Sequence, residues 1–549
     1  MLVFLPVLCL VLFYGLLRLP VPDESTILYE GWRISTGQVP YRDFFDFIWP
    51  GSFFLGAMII KLLGQPSIIG FRLVALFALV GCAAITFDMG RRFLPKRWLA
   101  WLAVFLWITY VPEFFKFHHH IISQFMGMLA IWFLFQHVSV TSRKPGKNLI
   151  LSGVLTGATL LTVQSVGGLL CLALTLFVGG YHWHTETKHP WKTALKALAI
   201  FWAPIMLMVC LLLAYLGFQG ALADFWYDTY VWLWEGYSQA TFHTYFAEGF
   251  ANIVGYIRRG LWHPEHLYQA VRLTLQGVLP VLGFVWLLDK ALRLMGLDLI
   301  RNSQPASRYS QQDWQVLAVW FGGMGLLLAS FSYPTSELVA YHGWLIYLLA
   351  IIALVNLFRH FKIPRVLEYR VILVTVMLLC VGVTLKVNQS FSAVLSPRIP
   401  SYGTLEQSLV GGGSSNENEL INLIESVHAH TQPGDGVFMY NLAPEFYFLV
   451  NRQNPLRYQY LIANYSTSAQ IEEAAADLEK KRPKVVVYNH LDEFYYTYDY
   501  RFKDFRDKDF HLLPIQDVIQ QLYYPVFQGE KYSVFALRAV SPALQKSSP

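Results

Sequence analysis

The chain has 549 residues, 55% of them hydrophobic and 14% charged, with a mean hydropathy of +0.40. Soluble globular chains carry about 25% charge, so the composition excludes an ordinary soluble enzyme. The net charge of +6 falls in clusters between apolar segments rather than on one soluble face, which excludes nucleic acid as a partner.

A membrane span needs roughly 17–25 apolar residues, and about eleven such segments can be read in chain order. They lie near 2–20, 68–88, 98–112, 121–138, 149–163, 166–181, 195–216, 272–289, 314–331, 342–358 and 371–388. The first lacks a basic leader and a small-residue cleavage site, so it reads as an uncleaved helix. The pair meeting at Gln164 could be one bent helix or two spans. Alternate loops decide for two. Arg91, Arg92, Lys96 and Arg97, then Arg143, Lys144 and Lys147, then Lys188, Lys192 and Lys196 fall on every second loop, as do Arg293 and Arg301 and finally Arg359 and Lys362. Basic loops face the cytoplasm. The chain is therefore expected to be an α-helical polytopic membrane protein with a transmembrane domain over 1–388.

Three polar regions then fall outside. The first loop, 21–67, holds two expected amphipathic helices lying in the membrane plane, one over Ser25–Ser35 and one over Ser52–Leu63 stopped by Gly64. The second, 217–270, is rich in Trp and Tyr, which suit a membrane–water interface. The third, 389–549, alternates helix-like stretches (418–428, 469–480) with strand-like ones (436–440, 485–488, 532–537). It reads as a C-terminal extracytoplasmic α/β domain. The five cysteines, Cys9, Cys82, Cys171, Cys210 and Cys380, all sit in apolar runs, so no disulfide framework or Cys-based zinc site is expected.

No phosphate-binding glycine loop, dinucleotide fingerprint or zinc-helix motif is present. Ionisable residues at mid-membrane mark transport paths, and the spans hold almost none. The acids gather instead at the outer ends: Asp23, Glu24, Asp43, Asp46, Glu113, Asp224, Asp228 and Glu337. Asp23 and Glu24 follow the first span directly. An acid there can deprotonate a substrate hydroxyl, or it can simply cap the next helix. Arg42 has the planar fork suited to a phosphate, or it can form a surface ion pair with Asp43 beside it. Lys116, His118, His119 and His120 open the fourth span and could hold a lipid phosphate, with a divalent metal as an open alternative to a cofactor-free site. Three successive helical positions diverge by about 100°, so all three histidines are not expected to line one site. His120 shares a helical face with Gln124. Asp88 with Arg91 and Arg92 reads as a structural ion pair.

The order of these motifs resembles the GT-C superfamily of membrane glycosyltransferases, in its protein O-mannosyltransferase and lipid A aminoarabinose transferase branch. The residues that carry the resemblance are Asp23-Glu24, Gly31, Pro40-Tyr41-Arg42-Asp43, Trp49-Pro50-Gly51, Gly153 to Gly157, Gln164 to Gly167, Ser332-Tyr333-Pro334 before His342, and Gly434-Asp435 before Pro444 to Phe448. The family usually has Pro-Pro where this chain has Trp49-Pro50-Gly51. It often has an acid where this chain has the histidine run. The resemblance implies inverting transfer of a sugar from a polyprenyl-phosphate donor to a hydroxyl of a glycan, lipid or protein, at the outer face of a bacterial plasma membrane. Carried over, Asp23 is the expected base, with Glu24 beside it. Arg42, Lys116 and His118–His120 are expected near the donor phosphate. Asp43, Asp46, Glu337 and His342 are possible substrate contacts. A flippase of lipid-linked sugars would instead show polar groups at mid-depth and internal repeats. A non-catalytic assembly protein would tolerate loss of the first-loop acids.

Overall fold

The computed structural model describes residues 22–108, 117–139, 145–186, 188–237, 254–260, 262, 266–267, 270, 310–330, 342–360, 417–440, 444–459, 461, 466–490 and 513–538. The expected spans at 2–20, 272–289 and 371–388, and the boundary at 389, lie outside them.

The chain enters through α1 (Pro22–Ser35) and α2 (Gly51–Leu63), the two helices of the first polar loop. Next come α3 (Ile68–Phe93), α4 (Arg97–Ile108), α5 (His119–His137) and α6 (Pro145–Thr162). After these lie α7 (Gln164–Thr185) and α8 (Pro190–Phe218). Of the described helices, α3, α7 and α8 are long and apolar enough to cross a membrane, which makes the protein a multi-pass membrane protein. The break between α6 and α7 is real. Val163 is extended (φ −145°, ψ 108°), and the helix restarts at Gln164.

Helix α6 packs on α5 and α8, and α7 packs on α8 and on α10 (Gln311–Ala329). The α6–α8 crossing depends on small residues. A Cβ at Gly153 would sit 2.2 Å from the Phe201 carbonyl oxygen, one turn before Pro204. In a lipid environment such close backbone approach replaces the missing hydrophobic drive for association. Helix α10 starts with a capping box, in which Ser310 and Asp313 satisfy each other's backbone N–H. It leads on to α11 (Trp344–His360). Between α8 and α10, the short α9 (Leu222–Trp226) continues into two π-helical turns, Tyr227–Val231 and Leu233–Tyr237.

The C-terminal part holds α12 (Glu417–His430), β1 (Val437–Tyr440), α13 (Glu445–Val450), α14 (Ser468–Lys481) and β2 (Val485–Asn489). It ends with α15 (Leu513–Leu522), β3 (Tyr523–Gln528) and β4 (Tyr532–Leu537). The strands form one mixed sheet in the order β1-β2-β4-β3, with β1 parallel to β2 and the other pairs antiparallel. Strand β3 contains Pro525, which the ladder tolerates because β3 is an edge.

Helix α1 departs from the expected membrane-surface helix. Its apolar side, Ile27 and Leu28, is buried, but so are Glu24, Tyr29, Glu30 and Arg33. Two partners cover it. On one side is α2, and on the other are α13 and the segment that follows it. The Asn454 N–H donates to Tyr29 Oη at 2.6 Å, and Arg33 donates to the Leu456 carbonyl at 3.0 Å. The rings of Tyr29 and Tyr447 stack at 4.5 Å. Tyr29, Glu30 and Arg33 can be buried on α1 because the C-terminal chain supplies part of their hydrogen bonding.

The α1–α2 contact is close. A Cβ at Gly31 would lie 2.8 Å from the Gly56 carbonyl carbon. Gly31→Val is therefore expected to push the helices apart at a cost of roughly 1–3 kcal/mol. Thermal unfolding in detergent checks it, and an unchanged midpoint would show that the contact yields freely.

Candidate active site

The first turn of α1 is fixed by a buried ion pair. Arg72 on α3 donates through Nε to Glu24 Oε1 at 2.8 Å and through Nη2 to Glu24 Oε2 at 2.6 Å. Both side chains are withdrawn from solvent, at 0% and 1% exposure. Glu24 Oε1 also accepts the Phe117 N–H at 3.0 Å. One carboxylate thus ties together α1, α3 and the strand-like entry to α5. Asp23 sits beside Glu24 in the first turn of α1, while Phe117 directly precedes His118. Two regions 93 residues apart are brought to one place.

The histidine run does converge, contrary to the expectation from helical spacing. His118 is not helical; it is the N-cap of α5, with φ −134° and ψ 142°. Its Nδ1 accepts the His120 N–H at 3.4 Å. An extended residue ahead of two helical ones does not follow the 100° rotation. The ring centroids of His118 and His119 are 4.0 Å apart, and those of His119 and His120 are 4.3 Å apart. Ring nitrogens of all three lie within 4.8 Å of one another. His342, fully buried just before α11, joins them. Its Nε2 is 3.0 Å from His120 Nδ1, and its Nδ1 is 3.2 Å from Gln124 Oε1. The shared face of His120 and Gln124 is thus bridged by one ring. Lys116 and Glu337 lie outside the described residues.

Arg42 is placed elsewhere. Its Nε and Nη2 grip Asp43 at 2.9 and 2.8 Å, and its Nη1 donates to the Gln219 carbonyl at 3.0 Å. That guanidinium holds the Asp43 carboxyl below the usual carboxylate range. Arg42 helps line a cavity of about 570 Å³ between the first loop and the end of α8, with Gln38, Phe54, Met58, Lys61 and Tyr215. Arg42 lies beyond the C-terminal end of α1, whereas Glu24 is in its first turn. A helix of 14 residues spans about 20 Å. Arg42 and Asp43 therefore do not share a site with the histidines.

Between these ends lies a cluster of buried acids. Glu30 and Asp46 are 0% and 2% exposed and lie against each other. Gln459 Nε2 donates to Glu30 Oε1, and Asp46 Oδ1 accepts the Ile48 N–H at 2.7 Å. Two carboxylates cannot both be charged in a dry contact. Burial, reinforced by Asp46, raises Glu30 well above the usual carboxylate range, so the contact favours its protonated form. Close by, Arg457 donates to both oxygens of the buried Asp228 at 3.1 Å and to the Tyr41 carbonyl at 3.1 Å. Burial pushes Asp228 up to about 8 against the pull of Arg457.

The raised Glu30 sets a pH dependence. The folded protein holds a proton that the unfolded chain releases above about 4.3. Stability is therefore full below that value and declines as pH rises through the folded pKa. Glu30→Gln is expected to flatten this decline in a melting-temperature series run from acid to alkaline pH. Parallel curves for the two proteins would refute the shared proton.

Sequence reasoning missed Arg72, Glu30, Arg33, Arg457 and Gln459, and it read Gln164 as a helix break and a family motif without a partner. Gln164 clamps the first loop, accepting the Trp49 N–H at 3.2 Å and donating to the Phe47 carbonyl at 2.8 Å. A lone arginine inside an apolar run, as at Arg72, was the one available signal. The Asp88 pair with Arg91 and Arg92 is present at 2.6 and 3.1 Å.

No protein-family model matches the sequence, and no curated protein matches it significantly. Among solved structures, the chain is similar to ArnT from Cupriavidus metallidurans bound to undecaprenyl phosphate. The TM-score is 0.55 at 13% identity, covering 98% of both chains. It is similar to the same protein in the apo state at TM-score 0.55 and 14% identity, covering 97% of each. An oligosaccharyltransferase from Archaeoglobus fulgidus matches at TM-score 0.47 and 12% identity, covering 98% of this chain and 74% of that one. At such identities the likeness shows the fold alone: the chain shares the fold of ArnT, in line with the resemblance to the GT-C superfamily read in the sequence.

Proposed function

We propose, from this GT-C fold, that the protein is an inverting glycosyltransferase that moves a sugar from a polyprenyl-phosphate donor to a hydroxyl on a glycan, lipid or protein. The reaction takes place at the outer face of a plasma membrane. One observation supports the reading: Glu24, held by Arg72 and by the Phe117 N–H, ties the first turn of α1 to the entry of α5, where the histidines converge. A base and a set of phosphate partners are what this transfer needs. Asp23 takes the proton of the acceptor hydroxyl as it attacks the anomeric carbon. The bond to the phosphate oxygen breaks, and polyprenyl phosphate leaves with its negative charge. His118, His119 and His120, with Lys116, receive that charge, and hydrogen-bond donors placed where charge develops are the main catalytic aid in such reactions. No nucleotide sugar is at hand outside the membrane, so a lipid-borne donor fits an outer site. ArnT, of the same fold, binds undecaprenyl phosphate, which supports a donor of this kind. Arg42 and Asp43 serve the separate cavity instead.

The test offers the protein, purified in lipid, a panel of polyprenyl-phosphate sugars with membrane extract as acceptor. Release of polyprenyl phosphate from one donor is the expected result. Silence with every donor would overturn the reading in favour of a binding or transport role.

A further inference from the structure

The cavity between the first loop and the end of α8 takes no part in the transfer, and its polar lining is one-sided. Lys61, in the last turn of α2, has no ion-pair or hydrogen-bond partner among the described residues. Arg42 directs three of its five N–H groups to Asp43 and the Gln219 carbonyl, and two remain. Gln38 accepts from Arg33 through Oε1, which turns its amide N–H groups the other way. The Tyr215 hydroxyl lines the same cavity, its ring set against Phe54 at 5.6 Å. All four can donate. The carboxylate beside them is already matched: both oxygens of Asp43 face Arg42, and Oδ2 also accepts the Val39 N–H at 2.7 Å. Asp224, the other acid near Arg42, lies 3.8 Å from Arg457. Several donors, one unpaired cation and no lining carboxylate left over suit an anion.

The place of the cavity points to a lipid. The stretch from Ala197 to Leu216 carries no charged residue. At about 1.5 Å per residue it spans about 30 Å, the thickness of the hydrocarbon layer. Lys192 and Lys196 lie at one end of α8, with Tyr215 and Gln219 at the other, so the cavity stands at headgroup depth. Its surroundings are apolar and open. Leu62 is 77% exposed and Phe218 92%, and Leu207 and Leu211 continue the exposed face along α8. Acyl chains can lie on that face while a phosphate meets the donors. The ammonium of a zwitterionic headgroup would find no unmatched carboxylate among the lining residues.

We propose that this cavity binds the headgroup phosphate of an anionic glycerophospholipid, held by Lys61, Arg42, Tyr215 and Gln38, with the acyl chains along α8. A lipid seated there bridges α2 and the end of α8, two elements that meet at the cavity.

The test is native mass spectrometry of the whole protein, delipidated in detergent and then offered phosphatidylglycerol or phosphatidylcholine. One phosphatidylglycerol is expected to be held more tightly than the rest, and phosphatidylcholine less firmly. Glycerophosphoglycerol, the same headgroup without chains, should not displace it. Lys61 is exposed, so its replacement leaves the packing intact. Lys61→Gln should weaken the tight lipid by about fivefold, the usual effect of one lysine at a membrane surface, and Lys61→Glu by more. Lys196→Glu, at the far end of α8, changes the net charge equally and should leave that lipid bound. Equal loss in the two glutamate variants would reduce the effect to diffuse charge and overturn the proposal. Equal retention of the two phospholipids, or no tightly held lipid at all, would do the same. Displacement by glycerophosphoglycerol would make this a site for soluble phosphates instead. Displacement by undecaprenyl phosphate, with binding of that lipid also lost in Lys61→Glu, would make the cavity part of the donor site and would equally overturn the assignment.

Discussion

Arg72→Leu is expected to destabilise the protein by about 3–5 kcal/mol, because it leaves Glu24 buried and unpaired. The same substitution should silence transfer. Glu24 would seek water or a proton, and α1 would lose its tie to both α3 and Phe117. The double variant Arg72→Leu with Glu24→Leu separates the two effects. Replacing a buried ion pair by apolar side chains is often neutral for stability, so the double variant should melt close to the wild type. It should remain inactive, because the Phe117 N–H has lost the carboxylate that places His118. Melting curves in detergent and a donor-turnover assay read the two separately. A stable, active double variant would show that the pair does nothing for the site.

Asp23→Asn is the second large effect. Its side chain keeps the size and shape of the carboxyl but cannot take a proton. General-base catalysis contributes about 10²- to 10⁴-fold, so kcat should fall by that much while KM for the donor holds. Melting should be unchanged, since the ion pair beside it is intact. Glu24→Gln offers the contrast: it should lower both stability and activity. Near-normal turnover by Asp23→Asn would assign the proton transfer to another group, with the histidine line the first to examine.

Much of the helical framework was legible because membrane spans are written locally. Apolar length alone located α3, α7 and α8. The Gln164 break could be read from the charge of flanking loops, and Gly64 marked the end of α2 through its left-handed φ of 75°. Asp88 with its arginines was legible because three and four residues make one helical turn. The site was less so. The histidines were expected to diverge because helical periodicity was applied to all three, and His118 escapes it by being a cap. Arg72 lies 48 residues from Glu24, and Gln459 lies 429 from Glu30. No periodicity reports a pairing at that separation. Strand β3 was not among the strands read in the sequence; a proline within a run disfavours a strand, and only the edge position of β3 makes Pro525 acceptable.

The burial of α1 under the C-terminal chain also sets a timetable for synthesis. The partner of Tyr29 is 425 residues further on, and that of Glu30 is 429. At about 5–20 residues per second, the ribosome needs on the order of 20–90 s to supply them. For that interval α1 stands with Glu30 and Arg33 uncovered while the membrane helices assemble behind it. Its final seating is among the last events of folding, although it is among the first segments made. A nascent chain arrested before residue 454 should therefore expose α1 to protease, and one extended beyond residue 459 should protect it. The candidate site, on this order, closes only when the far end of the chain has docked on α1.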